Sequence, residues 1–327
     1  MRALFQDRYG EADVLQIREI DVPRPEPGQV LIRVDAAGVD RGTWHLMSGL
    51  PYLVRMVGFG FSRPKQPVPG LDLSGTVVVT GSGVTDFKPG DEVFGIGTGT
   101  IAEYALADAG KLAHRPVGVD TQSAAAIPVS GVTALQALRD VGDIQPGQRV
   151  LIMGASGGVG NYAVQLARHF GASVSGVAST GKLDFVRLLG ADRVYDYTVD
   201  DSLDGSQHYD LIIDIGGRNR IRALRQALSP TGTLVIVGGE GGDSITGGIF
   251  RQLSAMMLSP FVSHRLRTFI SNESSQDVQA LAALMESGVL FAPVEKSYEL
   301  EEAPAAIADL AAGRVRGKAI IRIGESA

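Results

Sequence analysis

The stretch "MGASGGVGNYAVQLARHFGA", Met153–Ala172, places four glycines within seven positions and then turns at once into an amphipathic run. The apolar residues Val150–Met153 precede it and read as a buried strand ending at Gly154. Val159, Tyr162, Ala163, Leu166, Ala167 and Phe170 then recur at helical spacing, which predicts a helix over Val159–Phe170 closed by Gly171. The glycines therefore fall at a strand-to-helix turn, over the positive end of the helix dipole. Without Cβ atoms, such a turn lets backbone N–H groups approach a pyrophosphate that a bulkier turn would hold off. The spacing Ala155-x-Gly157-x-x-Gly160 is a G-x-G-x-x-G fingerprint with alanine in first place and an extra Gly154 ahead of it. A tight turn alone would satisfy the same spacing, so its context decides.

That context is a series of βα units. "ASVSGVAS" precedes "GKLDFVRLLGA", "YDLIIDIG" precedes "IRALRQALS", and "GTLVIVGG" precedes "GIFRQLSAMML". The alternation predicts an α/β fold, a doubly wound parallel sheet with helices on both faces, over residues 122–272. Ahead of it, residues 1–121 hold short segments rich in valine, glycine and proline, such as "GQVLIRVDAAGV", bounded by "RPEPG" and "KPGD" turns. These predict β-strands in a compact barrel-like domain. After residue 272 come two helical patterns and the apolar strand "GKAIIRIG". This tail is expected to rejoin the first domain, giving 1–121 with 273–327 around an inserted 122–272.

Composition removes several classes of function. The chain has 327 residues, enough for two domains, with 44% hydrophobic and 20% charged residues. A net charge of -6 gives no support for nucleic acid binding. With no cysteine, disulfides, thiolate zinc sites and cysteine nucleophiles are excluded. No histidine stands at a spacing that suggests a hydrolase triad. The N-terminus meets charge too early for a signal peptide, and no apolar run reaches the ~18 residues of a membrane span. A cytoplasmic protein acting on a small molecule is the expectation. "QLSAMMLSPF" reads as a core or subunit-interface helix, and a homodimer is expected.

The choice of dinucleotide turns on the end of the next strand, Val177-Ala178-Ser179-Thr180-Gly181-Lys182. A carboxylate about 20 residues after the fingerprint would hold a ribose 2′-hydroxyl and select NAD. Here two hydroxyls and an ammonium stand instead, which favours a 2′-phosphate and hence NADP. The alternative is a loop whose lysine faces solvent. Tyr197 is placed to line the adenine pocket or to serve as an edge aromatic.

With these residues in view, the sequence resembles the zinc-free branch of the medium-chain dehydrogenases/reductases, which includes the quinone oxidoreductases, zeta-crystallin and the reticulon-interacting mitochondrial reductase. The resemblance rests on "PGQRVLIMGASGGVG", "GVASTGKLDFVRLLGADRVYDYT" and "GDEVFG". It implies a GroES-like catalytic domain built from both chain ends, a Rossmann domain between, an active site in the cleft, and NADPH as cofactor. By the resemblance, Ser156, Gly158 and Val159 fall at the pyrophosphate, and Ser179 and Tyr197 at the adenosine phosphate side; Gly157 of the fingerprint and Thr180 and Lys182 of the strand end are cofactor-binding candidates beside them. Thr133 falls beside the nicotinamide, Gly238 joins the cofactor set, and Arg314, Val315 and Arg316 in "GRVRGK" close over the cofactor.

Departures from the zinc enzymes of this superfamily are equally specific. Their ligand cysteine is replaced by Asp40 and their ligand histidine by Leu71, and the four-cysteine lobe is missing. One carboxylate and a leucine cannot build the three-ligand open site that zinc catalysis needs, so no metal is expected. A readily reduced acceptor follows: a quinone, or a C=C conjugated to a carbonyl. Tyr52, Asp40 and His45 are the candidates for proton donor. Each has a plain structural alternative, as a lid aromatic, a helix cap and a packing histidine respectively. A nucleotide-binding, crystallin-like protein with little turnover is the second function class.

Overall fold

The computed structural model describes residues 1–53, 55, 60–238, 243 and 245–324. The N-terminal segments form β1 (Arg2–Phe5), β2 (Gln16–Glu19) and β3 (Gln29–Val39), then helix α1 (Arg41–Ser48). β4 (Asp72–Thr80), β5 (Glu92–Ile96), β6 (Tyr104–Asp108) and β7 (Leu112–His114) follow, and then α2 (Thr121–Ala125) and α3 (Pro128–Gln136). The βα series is β8 (Arg149–Met153), α4 (Gly158–His169), β9 (Ser173–Ala178), α5 (Leu183–Leu188) and β10 (Arg193–Asp196). It continues with β11 (Tyr209–Asp214), α6 (Ile221–Gln226), β12 (Leu228–Ile236), α7 (Ile249–Leu258) and β13 (Arg265–Thr268). The chain closes with α8 (Ser275–Glu286), β14 (Val294–Glu299), α9 (Ala303–Ala311) and β15 (Lys318–Arg322).

Two compact units result, Met1–Val132 with Asn272–Ala327, and Thr133–Ser271. The first boundary lies at 132/133 and not at 121/122, because α2 packs on β3, β4 and β15. Its Ala125, with Ala126, is buried against Ala36 and Ile320, which binds residues 121–132 to the first unit.

The first unit carries a seven-stranded sheet in the order β14-β15-β3-β4-β5-β7, with β6 also on β3. Its pairings are antiparallel except β14 with β15. Buried side chains from both chain ends, among them Ile32, Leu73, Tyr298 and Ile321, share one core.

The second unit holds a six-stranded sheet in the order β10-β9-β8-β11-β12-β13, every pairing parallel. This is the doubly wound order in which the sequence of strands reverses between the first and fourth, here β8 and β11. β13 has no counterpart in the sequence reading: of its four residues only Leu266 is buried, so no apolar run marks it. Among the described residues, no helix is long and apolar enough to cross a membrane.

The first residues of β4 and β15 form a buried ion pair. Lys318 Nζ lies 3.0 Å from Asp72 Oδ2 and 3.3 Å from Ser130 Oγ, and Val129 N donates to Asp72 Oδ1 at 2.7 Å. Both side chains are sealed from solvent, at 1% and 0% exposure. Burial pushes the Asp72 carboxyl up to about 6, against the pull of Lys318, and nearby Asp40 adds to the rise. Breaking a buried pair strands the surviving charge at a cost of about 3–5 kcal/mol, whereas replacing both partners is far milder. Lys318→Met is therefore expected to lose about that much in urea unfolding at pH 7, and Asp72→Asn/Lys318→Met to recover most of it. An acid whose folded pKa is raised loses stability as pH rises through it. Lys318→Met should accordingly regain stability as pH is lowered from 7 toward 5.

Candidate active site

The glycine turn is built as its sequence requires. Gly154 has a φ of 87°, and Gly154 N and Ala155 N both donate to Val177 O, at 3.2 and 3.0 Å, tying the turn to β9. A Cβ on Gly160 would lie 2.0 Å from Gly154 O, so only glycine lets α4 seat this closely against the end of β8. α4 begins at Gly158, with Gly157 as N-cap; no side chain caps it and no acid stands in its first turn. Asn161, fully buried, donates from Nδ2 to Gly157 O at 3.1 Å and Gly158 O at 2.5 Å. Its amide holds the carbonyls of the turn, while Gly158 and Val159 present first-turn N–H groups. Ser156 is buried, and Gly157, Gly158 and Val159 are half-buried. An uncapped, acid-free helix start beside a side-chain-free turn fits a pyrophosphate.

At the end of β9, Ser179 caps a single 3-10 turn, Thr180–Lys182, in which Lys182 N donates to Ser179 O at 2.8 Å. Tyr197 lies beside it, its N donating to Ala178 O at 3.1 Å and its side chain 59% exposed. The structure brings in one acid that a search along β9 alone misses. Asp196, the last residue of β10, pairs in register with Ala178. Its carboxylate is already engaged, accepting from Thr198 N at 2.9 Å and Thr198 Oγ1 at 2.7 Å. Hydrogen bonds from the Thr180 and Thr198 hydroxyls hold its pKa below the usual carboxylate range.

Across the strand reversal, Ile215 N and Gly216 N donate to Met153 O at 3.1 and 3.3 Å, which lays this segment alongside Gly154. Gly238, just past β12, donates to Asp214 O at 3.3 Å; a Cβ there would meet Ile215 O at 2.0 Å. Below them, fully buried Asp214 is ion-paired with Arg251 of α7, and its Oδ1 accepts from Gly217 N at 3.1 Å. Burial pushes the Asp214 carboxyl up, and the guanidinium opposes it. Sequence reading assigned nothing to this pair, because its members lie 37 residues apart in unrelated segments.

The proton-donor candidates all belong to the first unit, around α1. Asp40 is the N-cap of that helix: Oδ1 accepts from Thr43 N at 2.8 Å, and the carboxylate is buried. His45 lies in its last turn, with Nδ1 2.8 Å from Leu50 O and its ring edge-on to Trp44 at 4.9 Å. Tyr52, 48% exposed, has the Arg55 guanidinium 4.7 Å from its ring centroid. α1 thus separates Asp40 at its start from His45 and Tyr52 at its far end. Of the apolar stretch around Tyr52, "LPYLVRMVGFGF", residues 54 and 56–59 lie outside the described residues.

Arg314 and Arg316 are engaged within the same unit. Arg314 Nε donates to Asp309 Oδ1 at 2.8 Å, and Arg316 Nε lies 2.6 Å from Glu295 Oε1. Bonds from Tyr298 and Arg314 hold Asp309 down at about 2. Val315 is buried in the first unit's core, and Thr133, in α3, is half-buried as the first residue of the second unit. α7 is not a core helix: only Ala255 is buried, while Phe250, Leu253, Met256 and Met257 are exposed. Among the described residues, no group of three His, Cys, Asp or Glu side chains could hold a metal.

A doubly wound sheet with a glycine turn at its strand reversal, inserted into a GroES-like unit, defines a two-domain nicotinamide-dependent oxidoreductase. Residues 26–117 match the alcohol dehydrogenase GroES-like domain, and residues 189–321 match the zinc-binding dehydrogenase domain. The chain is 31% identical to a chloroplastic quinone oxidoreductase of Triphysaria versicolor, over 98% of each chain. It is 30% identical to a mitochondrial NAD(P)H oxidoreductase of Bos taurus, over 99% of this chain and 89% of that one. Among solved structures, a quinone oxidoreductase from Coxiella burnetii superposes with a TM-score of 0.86 at 27% identity, over 99% of both chains. The chain belongs to the quinone oxidoreductase branch of the medium-chain dehydrogenase/reductase family.

Gly157 and Gly160, two of the four glycines of the turn, do different work, and alanine scanning separates them. A Cβ on Gly157 would meet its nearest neighbour at 3.4 Å, so Gly157→Ala is expected to keep the wild-type melting temperature. Its methyl should weaken nicotinamide dinucleotide binding about tenfold or more by calorimetry. Gly160→Ala forces backbone to move and should cost about 1–3 kcal/mol of stability in denaturant unfolding.

Proposed function

We propose that this oxidoreductase uses NADPH, without zinc, to reduce a quinone or an α,β-unsaturated carbonyl. The observation that carries the cofactor choice is the corner after β9. There Ser179, Thr180 and Lys182 stand where a selecting carboxylate would, and Asp196 is turned to Thr198. When bound, the reduced nicotinamide supplies a hydride carrying both electrons, and a proton completes the reduced acceptor. The chain binds the pyrophosphate on the Gly157–Val159 amides, the 2′-phosphate on Ser179 and Lys182, and the adenine beside Tyr197. Zinc independence is supported by Asp40, committed to Thr43, by Leu71, and by Asp72, neutralised by Lys318. With Asp40 assigned to capping, Tyr52 is the donor we favour: its phenol is half-exposed, on the turn that follows α1. We place a second copy of the chain on the apolar outer face of α7, beside edge strand β13.

A charge-assisted bond to the 2′-phosphate is worth about 1.5–3 kcal/mol. Lys182→Ala is therefore expected to weaken NADPH at least about tenfold while leaving NADH unchanged. Wild-type protein that binds NADH as tightly as NADPH in calorimetry would refute the choice of NADP.

Tyr52→Phe should lower kcat on an enone by roughly 10²-fold, the low end for general acid catalysis, with NADPH affinity intact. Quinones should suffer less, because a hydroquinone anion is a weaker base and takes its proton from water. Equal small losses on both acceptors in steady-state assays would return Tyr52 to a packing role.

A further inference from the structure

The dinucleotide reading gives the second unit two halves with separate duties. Each set of three strands in a doubly wound sheet receives one mononucleotide, in the crevice beyond the strands' carboxyl ends. Ser179, Lys182 and Tyr197 lie at the ends of β9 and β10, in the half that takes the adenosine. The other half starts at β11, next to β8, and its last residue is Asp214.

Asp214 and Arg251 bond to three segments of this second half. The Asp214 carboxylate receives Gly217 N, and its main-chain oxygen receives Val237 N at 3.0 Å and Gly238 N at 3.3 Å. Arg251, from the first turn of α7, closes on Asp214 and donates from Nε to Asn219 O at 2.8 Å. The charge pair thus ties residues 215–219, which run beside Gly154, to the start of α7, while the Asp214 main chain ties them to the end of β12.

Stability alone gives little reason to keep such a pair. A buried ion pair is often no better than apolar side chains of similar volume. This one carries an added cost, since Arg251 Nη1 is buried with no hydrogen-bond partner among the described residues. A planar guanidinium does what an apolar side chain cannot, bonding a carboxylate and a loop carbonyl at once in fixed geometry. We infer that Asp214–Arg251 is a positioning pair for the nicotinamide half of the dinucleotide, shaping the 215–219 wall without serving the adenosine half.

The inference rests on the dinucleotide reading, and two ligands separate its failure from that one's. NADPH spans both halves, whereas adenosine 2′,5′-bisphosphate occupies only the first. Calorimetry is run with both on wild type, Arg251→Lys, Arg251→Met and Asp214→Asn/Arg251→Met. Arg251→Met is expected to weaken NADPH about tenfold or more, while the bisphosphate stays within about twofold of wild type. Arg251→Lys keeps the charge but loses the fork, so it should fall between wild type and Arg251→Met for NADPH alone. Retained bisphosphate binding also certifies that each variant is folded. Equal weakening of both ligands, or of neither, would overturn the positioning role. If wild type binds NADH in place of NADPH, NADH and AMP take the places of the two ligands in the same comparison; a wild type that binds none of them would overturn the dinucleotide reading, and the inference with it.

Discussion

Gly160 of the inserted unit lies so close to the carbonyl of Gly154 that a single added methyl would lie 2.0 Å from oxygen. That missing carbon fixes how α4 sits on the end of β8. Once the helix is seated, Tyr162, Ala163, Leu166 and Ala167 are buried, and its first-turn amides stand at the strand reversal. The turn cannot drift sideways, because two of its N–H groups share the Val177 carbonyl of the neighbouring strand. Position of the anion site, packing of the helix and registry of the first two parallel strands are therefore one constraint.

A chain of net charge -6 that binds a multiply charged anion must keep its own carboxylates from opposing the ligand. Asp40 caps a helix, Asp72 faces Lys318, Asp214 faces Arg251, and Asp309 receives Tyr298 and Arg314. Asp196 is the instructive case, because it stands beside the corner assigned to the 2′-phosphate and spends its lone pairs on threonine. The negative charge of Asp196 is thus spent on the Thr180 and Thr198 hydroxyls within the fold.

Much of this could be read along the chain because it is local. Glycine spacing between an apolar strand and an amphipathic helix is complete within Met153–Ala172, and the βα rhythm repeats over short distances. What could not be read is what depends on pairing across the chain. β13 needs β12 beside it, since Leu266 alone cannot announce a strand. Residues 121–132 look like the approach to the βα series until Ala125 is seen packed with Ala36 and Ile320. Nothing along the apolar strand "GKAIIRIG" announces that Lys318 is sealed against an aspartate 246 positions earlier. Asp40 illustrates a milder ambiguity, because a cap and a catalytic acid use the same residue type before a helix. Arg314 and Arg316 illustrate another, since their carboxylate partners had no signature of their own.

The split first unit has a consequence for the order in which the protein is made. Its sheet needs β14 and β15, which leave the ribosome only after the unbroken stretch Thr133–Ser271 is complete. The inserted unit can thus finish folding while its host is still waiting for its C-terminal third of core. Throughout that interval the end of β3, Ala36–Val39, lacks the strand that will pair with it through Ala319–Arg322. An apolar edge held open for the time of synthesis is the surface on which a nascent copy of this chain meets either a chaperone or another nascent copy.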